Sequence, residues 1–377
     1  MRRLSITPVV VILAAAGLLA FLAWRPGTGT RVDDPATIVR SPATKPRVQR
    51  PDLISTGFSA LSGSASPEAS RRTLADLRAS LAALPADEAV ARIRGFLDEG
   101  DDRATGLSFE IAGDGFLSEW PSFRTFLLDS LLLIDPAAAA AVGREILGEA
   151  TSADEWALGL RNVARGESPE DRGFLLAKAG ELIANPAWQA DPSIGYLNAF
   201  DVLVHVEATE STPLLSELIQ RKDRKDLAHA GFLTLDRLVQ RQPAEVLARL
   251  AADRDLQQSR PEMVAQQFAR ADLRIPEQQE LVKDWLLDPA RTPVELRSFA
   301  GVYPNNNRFV SNNLLTSESA QAGTDLAAHD RAAMQVVSRW VGDPAFAPVK
   351  DHLNTMVSRL GGFVDARDGS PVVSQPE

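Results

Sequence analysis

"RRTLADLRASLAALPADEAVARIRGFL", residues 71–97, carries the pattern by which most of the chain can be read. Leu74, Leu77, Leu81 and Leu84 recur at helical spacing on one face, Pro85 interrupts, and Val90, Ile93 and Leu97 then share a second face. A proline inside a helix costs about 3 kcal/mol or more, but in the first turn its missing N–H would have had no partner anyway. Such prolines therefore read as helix starts. Several have the neighbours a start requires: "SPED" at Ser168, "TPVE" at Thr292, "RPEM" at Arg260 and "IPEQ" at Ile275, the last two without a capping side chain.

The pair Pro-Ala recurs in this setting at Pro85, Pro136, Pro186, Pro243, Pro289 and Pro344, with spacings of 51, 50, 57, 46 and 55 residues. In the last two cases the match lengthens to W-x-x-D-P-A-x-x-P-V, with Trp285 and Asp288 answering to Trp340 and Asp343. A unit of about 52 residues is long for two ordinary helices and suits three. In the fourth unit they are predicted at 243–252, 259–270 and 276–287. Units of this size bury their apolar faces only by stacking, so the expected fold is all-α, an α-solenoid of helical repeats.

At these junctions the chain resembles HEAT- and armadillo-like helical repeat proteins, where Asp/Asn-Pro junctions join packed helices. "DPARTPVELRSFA", from Asp288, is similar to a HEAT second helix with an insertion before the Arg. The resemblance covers residues 71–360. It implies a stacked-helix architecture, and protein binding as the commonest use of such arrays.

The chain has 377 residues and a net charge of −10, divided unevenly. Residues 1–50 carry eight Arg/Lys against two Asp, leaving 32 basic and 48 acidic groups in residues 51–377. An acidic body without a basic, aromatic-bearing stripe argues against nucleic-acid binding. With no Cys, a disulfide framework, a thiolate metal site, a cysteine nucleophile and a cysteine-linked lipid anchor are excluded.

Between Arg3 and Arg25 lie 21 uncharged residues, "LSITPVVVILAAAGLLAFLAW", enough to cross a hydrocarbon core of about 30 Å as a helix. Residues 1–25 are expected to be a transmembrane signal-anchor. The alternative is a cleaved signal peptide, but a cut after Ala23 places bulky Phe21 three positions before it, and one after Ala16 strands seven apolar residues. Residues 26–70, rich in Pro, Ser, Thr and Gly, are expected to form a disordered spacer, 71–360 the helical domain and 361–377 a disordered tail. A short basic N-terminus ahead of a signal-like run ordinarily stays inside, so the folded domain is expected outside the cytoplasm of a single-pass inner-membrane protein, in the periplasm. The opposite orientation, as a cytoplasmic adaptor, stays open.

One stretch departs from the pattern. "YPNNNRFVSNN", residues 303–313, holds five of the nine asparagines. Asparagine caps helices and tolerates left-handed backbone, so Asn305 and Asn306 are expected to make a turn after Pro304, and Asn307 to cap a short helix with Phe309, Val310 and Leu314. The functional alternative is a polar partner-binding loop of Asn305, Asn306, Asn307, Arg308, Asn312 and Asn313 on a rigid array.

Catalytic signals are scarce. His205, His229, His329 and His352 include no pair at i and i+4, so no H-E-x-x-H and no metal are expected. His329-Asp330 and Asp351-His352 read as surface or capping residues. No G-x-S-x-G or phosphate loop occurs, and no cofactor is implied. Glu110, Asp114 and Glu119 lie in "SFEIAGDGFLSEW", the least repeat-like stretch, which leaves a peptidoglycan-active hydrolase as an alternative. A lytic transglycosylase also joins helical arrays to a catalytic Glu, but its sequence motifs are not found here. "RKDRKD" at 221–226 alternates in sign as a solvated helix junction does. The expectation is a membrane-anchored, non-enzymatic scaffold with a protein or envelope partner.

Overall fold

Pro67, Pro136, Pro186, Pro243, Pro261, Pro276 and Pro293 each stand at the first position of a helix, where a lost N–H costs nothing. The structure is a computed structural model describing residues 52–62, 66–149, 151–166, 171–307, 309, 311–317 and 325–368. It is mostly helical, 73% helix against 2% strand, which makes the chain all-α. The apolar run 4–24 lies outside the described residues. Among those described, no helix is long and apolar enough to cross a membrane.

The body begins with α1 (Leu53–Leu61), α2 (Pro67–Ala82) and α3 (Ala86–Glu99), then a short hairpin of β1 (Glu110–Ile111) and β2 (Leu117–Glu119). Next come α4 (Phe123–Ile134), α5 (Pro136–Ile146), α6 (Ala153–Arg165), α7 (Asp171–Ala184), α8 (Pro186–Ala190), α9 (Ile194–Asn198) and α10 (Asp201–His205). They are followed by α11 (Thr212–Gln220), α12 (Lys225–Arg241), α13 (Pro243–Ala252), α14 (Arg254–Ser259), α15 (Pro261–Phe268) and α16 (Pro276–Leu287). The last are α17 (Pro293–Val302), α18 (Leu326–Gly342) and α19 (Lys350–Asp368). Helix therefore starts at Leu53, inside the stretch expected as spacer, and α19 runs past residue 361 into the expected tail.

Four of the six Pro-Ala junctions share one capping geometry. Asp135, Asn185, Asp288 and Asp343 each offer a side-chain oxygen to the N–H of the Ala two residues on, at 2.9, 3.0, 2.9 and 2.9 Å. A short acceptor before the proline is what makes this possible. Where Leu84 or Gln242 precedes it, no side-chain cap forms. Pro289 differs in another respect, because it lies in a turn and the next helix waits for Pro293. There Thr292 and Glu295 close a reciprocal capping box.

In the fourth unit, α13, α15 and α16 fall at the expected 243–252, 259–270 and 276–287, α15 being slightly shorter at each end, and an additional short helix, α14, fills the gap before α15. Asp253 starts this extra helix by accepting the Leu256 N–H, and Pro261 then opens α15. After α17, where a middle helix of the fifth unit would stand, the described residues of 303–317 are non-helical.

One continuous apolar core runs from Ile54 to Leu360, each buried Leu or Ile contributing about 1.5–3 kcal/mol. Helices α4 and α6 are buried on nearly every side, α4 between α2, α3, α5 and α6, and α6 between α4, α5, α7 and α9. Packing partners are mostly near neighbours in the chain, as in α11 on α12, α12 on α13, α15 on α17 and α18 on α19. Trp285 stacks on Phe268 at 4.9 Å and Trp340 on Phe346 at 5.1 Å, so both matched tryptophans are core residues.

Candidate functional site: the asparagine strap

The asparagine-rich segment leaves α17 at Tyr303 and returns along the body to elements far back in the chain. Tyr303 is wholly buried, packed on Phe299 at 5.5 Å, and its carbonyl accepts from Arg359 Nε at 3.1 Å. Asn305 is then fixed on all sides. Its N–H donates to Ala269 O at 2.8 Å, its Nδ2 to Gln266 O at 3.2 Å, and its carbonyl accepts from Arg270 Nη1 at 3.2 Å. Its Oδ1 accepts from the Asn307 N–H at 3.3 Å, giving the expected asparagine turn after Pro304.

The short helix expected after Asn307 does not form; the described residues of 305–317 are non-helical. Their hydrogen-bonding groups go to other elements instead. Phe309 meets Phe232 of α12 edge-on at 5.9 Å, and Asn312 Nδ2 donates to Ile111 O of the hairpin at 2.9 Å. Leu314 O accepts from Arg165 Nη2 of α6 at 3.2 Å. The N–H groups of Leu315 and Thr316 both donate to Asp201 Oδ2 of α10, at 2.6 and 3.0 Å. Arg237 of α12 binds both Asp201 and the Thr316 hydroxyl. The strap thus ties together the hairpin, α6, α10, α12 and the end of α15.

The hairpin has a glycine where the strap crosses. Gly115 has φ +80°, and a Cβ there would lie 2.5 Å from Leu314 O. Arg165, which donates to Leu314 O, also donates to Asp114 O. Burial pulls its guanidinium pKa down, and Asp114, Asp129 and Asp201 oppose this.

Beneath the strap lies a cavity of about 290 Å³ walled by Leu197, Phe200, Leu233, Thr234, Phe309 and Asn313. Asp201 and Arg237 also line it, but they are spent on each other and on the strap. The arrangement is built to hold a non-helical backbone: one carboxylate oxygen of Asp201 takes two of its N–H groups, and Arg165 donates to one of its carbonyls.

The six residues singled out from sequence separate here. Asn305 and Asn313 hold the loop, Asn313 being 9% exposed and bonded to Ser311. Asn312 is exposed yet bridges to the hairpin, and Asn306 and Asn307 face solvent. Arg308 lies outside the described residues. The carboxylates that hold the strap escaped the sequence reading, although a signal existed: a charge inside an apolar run. Asp201 stands in "AFDVLVHV", Asp129 in "FLLDSLLLI", Arg161 in "WALGLRNVA" and Asp236 in "FLTLDRLV". All are buried and paired, Arg161 with Asp129 at 2.6 Å and Asp236 with Arg270 at 2.7 Å.

His329 and Asp330 also depart from expectation. They are 7% and 0% exposed, joined at 2.9 Å, with Asp272 3.7 Å from the other ring nitrogen. Glu110 and Glu119 face one another across the hairpin, and Arg71 together with Ser108 holds the Glu119 carboxyl below its ordinary pKa. That favours an ion pair over a general acid, which needs the opposite shift. Among the described residues, no group of three or more His, Asp or Glu converges as metal ligands would. No protein-family model, curated protein or solved structure matches the chain.

Proposed function

We propose that the chain is a HEAT-like helical-repeat scaffold, held at a membrane by its N-terminal apolar run, that presents the strap-bearing face to a protein or envelope partner outside the cytoplasm. The observation that carries this reading is the contrast along the strap. Its backbone and side chains are tied to five separate elements, yet Asn306, Asn307, Phe309, Ser311 and Asn312 keep exposed surface, Phe309 at 46%. Side chains already held in place lose little freedom on binding, and an aromatic among amides supplies both apolar contact and hydrogen bonds. The shared cap at Asp135, Asn185, Asp288 and Asp343, with packing between chain neighbours, supports the repeat.

The test is a photo-crosslinking residue at Phe309 in the full chain, with one at Ile194, 51% exposed in α9, as control. A discrete protein or envelope adduct from 309 and none from 194 is the expected outcome. No adduct, or the same adducts from both, removes the assignment. Protease added to spheroplasts should digest the helical body; full protection would place it in the cytoplasm.

A further inference from the structure

Asp129, in the middle of α4, has both carboxylate oxygens in use. Oδ1 accepts from Arg161 Nη1 at 2.6 Å and from the Leu117 N–H at 3.2 Å, and Oδ2 from Arg78 Nη2 at 2.8 Å and Trp120 Nε1 at 2.9 Å. Two guanidiniums thus share one carboxylate, and the cluster keeps an excess positive charge. Arg161 is wholly buried, so that charge reaches the surface through Arg78, whose side chain is 31% exposed and lies over the Trp120 ring at 4.4 Å.

Arg78 opens onto a groove of about 420 Å³ between α2 and α4, and it is the charged residue of the lining. The walls are Leu81, Leu84, Leu133 and Ile134, and Leu133 stays 50% exposed there. Ser130 also lines the groove. It is 2% exposed, and its hydroxyl has no hydrogen-bond partner; Arg78 Nε is buried without one as well. Buried polar groups ordinarily find partners, and a helical serine has its own i−4 carbonyl within easy reach. Two unsatisfied groups, one a cationic donor, on residues that line an apolar groove make half of a binding site.

We propose that this groove binds a small monoanion with an apolar body, an aliphatic or aryl-alkyl carboxylate. The carboxylate accepts from the Ser130 hydroxyl and the Arg78 guanidinium, and the hydrocarbon lies on the four aliphatic walls. The volume gives room for on the order of ten non-hydrogen atoms. The site is independent of the strap.

The test uses the full chain in lipid nanodiscs, with 4-phenylbutyrate and its amide as probes, ligand-observed saturation-transfer NMR as the measurement, and empty nanodiscs as the blank. The acid should bind at least ten-fold more tightly than the amide. Ser130→Ala removes a hydroxyl that bonds nothing in the protein, so its melting temperature should hold or rise while its affinity for the acid falls at least three-fold. Arg78→Met should erase the preference for acid over amide. Failure of the acid to bind, equal binding of acid and amide, or a Ser130→Ala protein that binds like the parent overturns the proposal, and the serine variant decides it even if Arg78→Met does not fold.

Discussion

The carboxylate of Asp201 accepts the backbone N–H of Thr316 at 3.0 Å, across 115 residues of chain. Because the same oxygen also takes the Leu315 N–H, two consecutive amides that a helix would satisfy internally are satisfied by one side chain. Asp201→Asn preserves the shape but removes the charge that pairs with buried Arg237. Breaking such a pair costs about 3–5 kcal/mol. Hydrogen exchange should show the amides of Leu315 and Thr316 opening well before those of α4 and α6; uniform loss of protection would deny Asp201 its particular hold on the strap.

Gly115 offers a second handle on the same contact. Gly115→Ala combines an unfavourable positive φ, about 1–3 kcal/mol, with a collision at Leu314 O. Gly106 has φ +76° and open space around its missing Cβ, so Gly106→Ala carries the strain alone. In denaturant titrations Gly115→Ala should lose more stability than Gly106→Ala, and it alone should speed exchange at residues 314–316. Equal losses would mean that the close approach is unimportant.

Among the asparagines, stability and binding should separate. Asn305→Ala removes the bond to Gln266 O and the acceptor for Asn307 N–H, and should cost about 1–2 kcal/mol. Asn306→Ala and Asn307→Ala change exposed side chains and should stay within about 0.5 kcal/mol of the parent. Thermal melts with partner crosslinking rank the three. A destabilised Asn306→Ala would show that its amide holds the fold.

Asp154 gives a pH dependence with a definite sign. Burial raises its pKa above the ordinary 3.8, against the Ser193 hydroxyl and the Gly195 N–H that bond its carboxylate. A carboxyl raised in the folded state contributes stability that is fully present below its unfolded pKa and is lost as pH rises through the folded value. Asp154→Asn keeps an acceptor for both donors and does not titrate. Urea melts should therefore show wild type losing stability relative to Asp154→Asn as pH climbs from about 3 to about 7. A flat or opposite difference contradicts the buried-carboxyl account.

What could be read in advance was local. Pro136, Pro186 and Pro243 open helices, and Thr292 caps one, because the deciding groups lie within four residues of each other. The course of the strap was hidden because its partners, Ile111, Arg165 and Asp201, are separated from it by more than a hundred residues. Asparagines at 305–313 signal that the backbone has left regular structure, but they do not say where it goes. His329 and Asp330 look solvated in the sequence for a related reason: nothing local shows that Asp272, in the loop after α15, lies alongside. Only the short α14 was missing from the fourth unit, and Asp253, a capping residue ahead of it, was the signal for it.

Helices that pack mainly on their chain neighbours can fray at one end with little effect on the other. Crosslinks from Leu314 to Arg165 and from Asn312 to the hairpin change that bargain by making separate stretches share their fate. The segment that leaves the helical pattern thereby couples stretches of chain that lie far apart in sequence.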